Sequence, residues 1–334
     1  RAGPSPERDA CRMRALVTGA AGFIGAHVVA ALANGGADVR AFDRRAIAGA
    51  TPGVEPIVGD ILDPDALRRA LQGCDAVFHL AALYSFHRAD RARMREVNVN
   101  GTRAVLDAAL RGPRRRIVHT SSCATCGPVP DRRATEHDLP RGDQLRIPYR
   151  ATKLAGEQLA LRAARAGADV VVVNPTVPVG AGDLRPTPTG KMIADVAHGR
   201  ARAYLARSAL NVAAVGDVAQ GHLLAHEHGL PGNRYLLGGE DLSIRELFAL
   251  VAQTAGLPSP RIAVPWTVAR ASATVAHAAT APFGHEPRLL LLDEVLAGRL
   301  PHRFDDAKAR AQLGYSPGAA ADALADAARA ALAN

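Results

Sequence analysis

Lysine is nearly absent: of 41 basic residues only Lys153, Lys191 and Lys308 are lysines. Aromatic residues are also scarce, at 4 %. Proteins that stack nucleic-acid bases interleave aromatic and basic side chains, and this chain has no such ladder. Its arginines are scattered apart from the cluster between Arg111 and Arg116. The net charge of +9 therefore reads as a solvated basic surface with some attraction for anions, not as a nucleic-acid footprint.

Four cysteines do not make a secreted disulfide framework in 334 residues. Cys123-Ala-Thr-Cys126 has CxxC spacing, but no second CxxC or suitably spaced histidine pair accompanies it, so no metal is expected. His222 and His226, with His228 just beyond, lack a third ligand and a glutamate base; they read as surface histidines or as supports behind a site. A reduced, cytoplasmic protein is the simplest reading. No run of roughly 18 uncharged apolar residues occurs, which excludes a membrane-spanning helix. Residues 1–12 are polar, carry Pro4 and Pro6, and have no apolar signal core. They read as a disordered leader ahead of a natural start at Met13.

What remains is ordinary globular material, 48 % apolar and 22 % charged, long enough for two domains and too short for three. In the first half short apolar runs alternate with helical patterns, which predicts βαβ units and a doubly wound parallel α/β sheet. The strands are expected at Ala15–Thr18, Asp38–Phe42, Glu55–Val58, Ala76–Leu80, Arg116–Thr120 and Val170–Val173. Helices are expected at Ile24–Asn34, Asp65–Gln72, Arg88–Arg111 and Tyr149–Ala166, with Gly35-Gly36 and Gly112-Pro113 as stops. After Pro175 proline and glycine crowd the chain, then helices alternate with short strands such as Arg234–Leu237. Ser243-Ile-Arg-Glu246 is a capping box that opens another helix. The division expected is a nucleotide-binding domain over 13–175, to which 211–230 returns, and a smaller α/β substrate domain over 176–334.

Gly19-Ala-Ala-Gly22-Phe23-Ile24-Gly25 follows the first strand and opens a helix. Glycine is needed where the chain turns sharply and where backbone meets a pyrophosphate, and the helix N-terminus adds free N–H groups and partial positive charge. Asp43 ends the second strand 18 residues beyond Gly25. A carboxylate there accepts from the adenosine ribose diol and disfavours a 2′-phosphate, favouring NAD. Arg44 and Arg45 follow at once and suit a 2′-phosphate, so NADP stays open. Asp60, with Ile61 beside it, offers an acceptor to the adenine amino group and serves equally well as a turn carboxylate.

Tyr149-Arg-Ala-Thr-Lys153 opens a helix with the phenol and the ammonium one turn apart. A free tyrosine is a poor acid–base catalyst at neutral pH. Lowering its pKa by roughly three units takes about 4 kcal/mol of phenolate stabilisation, which a neighbouring ammonium and a cationic nicotinamide ring can supply. In a chain that otherwise uses arginine, lysine at this position marks a compact point charge in use. Thr120-Ser121-Ser122 closes the fifth strand at the sheet's ligand-binding edge, where Ser122 can orient a substrate oxygen toward Tyr149.

Together with His79-Leu80-Ala81-Ala82, Asn98-Val-Asn-Gly-Thr102, Asn174-Pro175 and Phe304-Asp-Asp-Ala-Lys308, these motifs resemble the extended short-chain dehydrogenase/reductase (NAD-dependent epimerase/dehydratase) family over nearly all of Met13 to Leu332. Within it the chain is similar to the dihydroflavonol-reductase-like branch, and most similar to hopanoid-associated sugar epimerases. The resemblance implies that Ser122, Tyr149 and Lys153 are catalytic. It implies that Leu80, Ala81, Ala82, Thr120, Pro175, Thr176 and Val177 line the cofactor, and that Asn98 is a structural or cofactor-side residue. It also implies a homodimer built on the helices near Arg88–Arg111 and Tyr149–Ala166. One departure bears on substrate. Where nucleotide-sugar epimerases of the family hold a diphosphate with arginine, this sequence has Leu210, and the second such position falls in an apolar stretch near Leu296, with Arg299 close by. Two phosphates in a buried pocket need charged partners. The expected reaction is therefore hydride transfer at a secondary alcohol or ketone of a small, fairly apolar molecule, with a cofactor-retaining sugar epimerase or dehydratase as the alternative.

Overall fold

Short, fully buried β-branched runs set the frame of the chain, whose computed structural model describes residues 12–47, 52–280 and 291–333. All of the expected leader except Arg12 lies outside the described residues. Six strands come first: β1 (Arg14–Thr18), β2 (Asp38–Asp43), β3 (Val54–Val58), β4 (Ala76–His79), β5 (Arg116–Thr120) and β6 (Val170–Pro175). Shorter strands follow: β7 (Val177–Val179), β8 (Ala203–Leu205), β9 (Ala209–Ala214), β10 (Arg234–Leu237), β11 (Glu240–Ser243) and β12 (Ile262–Val264). Seven of them form one parallel sheet in the order β10-β6-β5-β4-β1-β2-β3. Its central strands read as unbroken apolar runs because helices cover both faces; Val170 to Val173 are wholly buried. The strand order reverses between β1 and β4, and the crevice outside their carboxyl ends is where such sheets take ligands.

The expected strands match those observed to within about two residues. One expected helix does not. Arg88–Arg111 is broken into a short turn Arg88–Asp90, a helix Arg91–Arg95, a wide π-type turn Glu96–Gly101 and a helix Thr102–Leu110. The wide turn is held by Asn98, whose side chain leaves the helix to bind the backbone of Leu83. The sequence keeps helical periodicity through this turn and gives no sign of the break.

After β6 the chain returns to the large sheet more than once, the last time with helix Ala307–Leu313, whose Ala309 and Leu313 join its core. Helix Val215–His228 packs against helix Phe23–Asn34, and β10 pairs with β6. A second core forms where helices Pro188–Ala197, Ile244–Thr254 and Ala320–Ala333 cover the sheet β7-β9-β11 around Val212, Leu247, Phe248 and Leu324. The capping box is present: Ser243 Oγ accepts from Glu246 N at 3.1 Å, and the Glu246 carboxylate accepts from Ser243 N at 2.8 Å.

Candidate active site

The glycine loop is built for close approach. Gly19 has φ +74°, and a Cβ there would lie 2.6 Å from Ala81 N. A Cβ on Gly25 would lie 2.1 Å from the Gly19 carbonyl oxygen. The loop thus folds tightly over Leu80 and Ala81, and Gly22 starts helix Phe23–Asn34 without a side-chain cap. Among the described residues no acceptor is bonded to the first-turn N–H groups of Phe23, Ile24 and Gly25, which leaves them available to an anion. These residues fit the pyrophosphate of a dinucleotide.

At the far end of the crevice Asp43 is buried. It accepts from Ala21 N at 3.1 Å and pairs with Arg45 Nε at 3.0 Å, while Arg44 is exposed and sits 3.8 Å from Asp60. Asp60 also accepts from Leu62 N and lies 3.5 Å from Arg93. Ile61 is buried against Gly101, where a Cβ would overlap its side chain. Asn98 spends its amide on the protein, accepting from Leu83 N at 2.7 Å and donating to Leu83 O at 3.0 Å and Thr152 Oγ1 at 3.1 Å. Of the two roles expected for Asn98, these bonds describe the structural one. Ala82 follows Ala81 on the same loop. Pro175 ends β6, Val177 opens β7, and Thr176 between them donates from N and Oγ1 to Leu237 O.

Ser122, Tyr149 and Lys153 converge at the carboxyl end of β5. Pro148 starts helix Pro148–Arg165, so Tyr149 and Lys153 lie on successive turns facing the sheet. Lys153 is buried and donates to the Thr120 carbonyl at 2.7 Å. Burial pulls its pKa down to about 8, opposed by the Glu157 carboxylate one turn on. Tyr149 differs from expectation. Burial pushes its phenol up to about 12, against the lowering effect of a hydrogen bond with Ser122. The lysine ammonium is aimed at the Thr120 carbonyl, and desolvation of the phenolate dominates.

Beneath Lys153 lie neutral histidines. His79 links Thr18 at 2.7 Å and Thr102 at 3.1 Å, and burial holds its pKa near 3. His119 stacks on it at 5.3 Å, and neither of its ring nitrogens has a partner among the described residues. His222 is not a surface residue. It is fully buried, bonds Thr120 Oγ1 at 2.9 Å and supports the strand end that holds Lys153. Behind the helix, the buried Glu157 carboxylate accepts from Thr125 and Asn174, each at 2.7 Å, and pairs with Arg234 at 3.0 Å. The CxxC sulfurs are buried thiols in this cluster. Burial pushes Cys123 up to about 12, and Cys126 accepts from Arg234 at 2.8 Å.

Neither position considered for holding a diphosphate offers a free arginine. Leu210 sits in β9 opposite Leu242 and bridges to His302. Arg299 is taken up by Asp143 at 2.6 Å and lies over the Trp266 ring. Tyr84, which the sequence reading did not single out, stacks on Tyr149 with ring centroids 4.3 Å apart, and Phe86 packs on its edge. Two aromatics straight after the His79-Leu-Ala-Ala motif, in a chain so poor in aromatics, were the available signal. Arg150, buried beside Tyr149, was missed as well.

Comparison with known proteins shows the family and the fold. A family described as "NAD dependent epimerase/dehydratase family" matches residues 15–238. The chain is 38 % identical over 323 residues to a putative dihydroflavonol 4-reductase of Synechocystis sp., covering 93 % of this chain and 92 % of that one. It is 39 % identical over 258 residues to sterol demethylase protein B of Methylococcus capsulatus, covering 76 % and 78 %. Among solved structures, that of gox2253 superposes with a TM-score of 0.80 at 36 % identity, covering 95 % of this chain and 97 % of the other.

Proposed function

We propose, from the premise that this chain belongs to the NAD-dependent epimerase/dehydratase family of extended short-chain dehydrogenases/reductases and is an NAD(P)-dependent oxidoreductase, that Tyr149 is its proton donor and acceptor at a secondary alcohol or ketone of a fairly apolar, non-nucleotide molecule. The observation that carries this reading is Ser122, Tyr149 and Lys153 gathered at the sheet's carboxyl edge, with Ser122 acting on the phenol and the buried lysine one turn behind it bound to the Thr120 carbonyl. Hydride is supplied or taken up by the nicotinamide dinucleotide when bound. Every other part belongs to the chain. Ser122 orients the substrate oxygen. Tyr149, kept protonated by burial, gives its proton to the oxygen as negative charge develops there. Lys153, held by the Thr120 carbonyl, stabilises the phenolate that results.

Three finer assignments go with this reading. Leu210 in place of an arginine, and Arg299 engaged by Asp143, support a substrate without a diphosphate. Asp43, buried at the end of β2, supports NAD over NADP. The protein works as a cytoplasmic homodimer. The competing reading is an epimerase or dehydratase that keeps its NAD bound and returns the hydride, a reading suggested by the family's own description. Denaturing the purified protein and identifying released dinucleotide separates them. Ready exchange, with turnover of hydrophobic ketones by added reduced cofactor, supports the reductase. Tightly held NAD, with activity toward nucleotide sugars alone, defeats it.

A further inference from the structure

Three cationic side chains in the described residues are fully or nearly buried near the catalytic helix, and two of them are accounted for. Lys153 donates to Thr120, and Arg234 is bound by Glu157. Arg150, 4 % exposed, is different. Its single hydrogen-bond contact among the described residues is between Nη2 and His302 Nε2, at 3.0 Å. That same nitrogen lies 3.0 Å from the Ala297 carbonyl. A neutral imidazole nitrogen either donates to a carbonyl or accepts from a guanidinium, so at most one of the five Arg150 N–H groups finds a partner here. Arg115 shows what a structural buried arginine looks like in this chain: it donates to the carbonyls of Leu71, Cys74, Ala109 and Pro113.

Among the described residues no carboxylate forms an ion pair or hydrogen bond with Arg150 either. The groups that act on its charge are Cys123, Tyr84 and Asp143. Cys123 and Tyr84 are neutral, and Asp143 is bound by Arg299. A buried, unpaired guanidinium is costly and persists only where something offsets it. Tyr84 and Cys123 also act on Tyr149, and Tyr84 stacks on its ring. Tyr84 and Cys123 thus lie within electrostatic range of both the phenol and the guanidinium, which puts Arg150 close to the Tyr149 side chain. On the other side Arg150 meets His302, which is bridged to Leu210 on the substrate-side wall.

We propose that Arg150 is the substrate's anion-recognising residue, binding a carboxylate that an otherwise apolar substrate carries within a few bonds of its reacting carbon, as in a 3-oxo or 3-hydroxy acid. This rests on the reading of Tyr149 as proton donor only for where the reacting carbon lies. A planar fork of donors suits a carboxylate, and the shielded site strengthens the pairing.

Binding of 3-hydroxydodecanoate and of its methyl ester to the NAD-loaded protein, followed by calorimetry, tests the assignment. The wild type is expected to bind the acid about thirtyfold or more tightly than the ester. Arg150→Met should bind both compounds with the affinity of the ester, changed less than about threefold, and Arg150→Lys should recover part of the preference. Equal binding of acid and ester by the wild type, binding of neither, or an Arg150→Met variant that loses both alike would overturn it. A merely structural arginine would lower the melting temperature and leave the acid-to-ester ratio unmoved. Hydride transfer to 3-oxododecanoate methyl ester, read as nicotinamide absorbance, is scored separately. Acid preference without turnover of any 3-oxo compound would sink the oxidoreductase reading and leave Arg150 assigned; turnover of the ester without acid preference would do the reverse.

Discussion

Removing the Lys153 charge should leave the cofactor-free protein no less stable at neutral pH and should abolish a specific slope of stability against pH. The lysine is 6 % exposed, and its pKa falls from 10.5 to about 8 on burial. In the unfolded chain it holds its proton to higher pH than in the folded one, so the unfolded state binds more protons between these values, and stability rises with pH there. Below pH 8 both states are charged and the full burial cost, about 3 kcal/mol, is present. Raising the pH from 7 to 9.5 should relieve about 2 kcal/mol of it. The phenol of Tyr149 and the buried thiols also titrate differently in the two states, but they do so in Lys153→Met as well and cancel in the difference. Urea unfolding of both proteins across this range is the assay. The gap between them should change by about 2 kcal/mol, with the wild type gaining, and the variant should lack catalytic activity throughout. A Lys153→Met protein destabilised by the 2–5 kcal/mol typical of core truncation at every pH would show that the lysine is structural and refute the reasoning (an approximate range).

Two further outcomes follow from the dinucleotide crevice. Asp43→Ala removes an acceptor and frees Arg45, so NAD affinity should fall about tenfold while NADP affinity rises; fluorescence titration reads the ratio, and an unchanged ratio would contradict the role of Asp43. Gly25→Ala places a Cβ 2.1 Å from the Gly19 carbonyl, so the loop must open, and dinucleotide affinity should drop by about two orders of magnitude despite alanine's helix preference, up to about 1 kcal/mol.

The sheet was legible because its strands are buried on both faces and leave unbroken β-branched runs, as at Val170 to Val173, that only turns and helices separate. The glycine loop, Ser122, Tyr149 and Lys153 were legible because each sits at a strand end or helix start that the alternation fixes. The π turn at Asn98 was not: its cause is a bond to Leu83, fifteen residues away, which no local period encodes. The burial of His222 and the isolation of Arg150 depend on partners about a hundred residues or more distant, Thr120 and His302. The desolvation that raises the phenol's pKa in the protein alone was not legible either, since spacing gives charge neighbours but not burial.

Asn98 also limits what can be swapped. Its amide grips the main chain of Leu83, next to the Tyr84 ring, and reaches Thr152, one residue before Lys153. A designer grafting a relative's 83–88 loop to change substrate range would be pulling on the helix that carries Tyr149 and Lys153. Grafts that preserve the backbone path at position 83 should keep turnover, and side-chain exchanges at Tyr84 and Phe86 offer the safer route to new specificity.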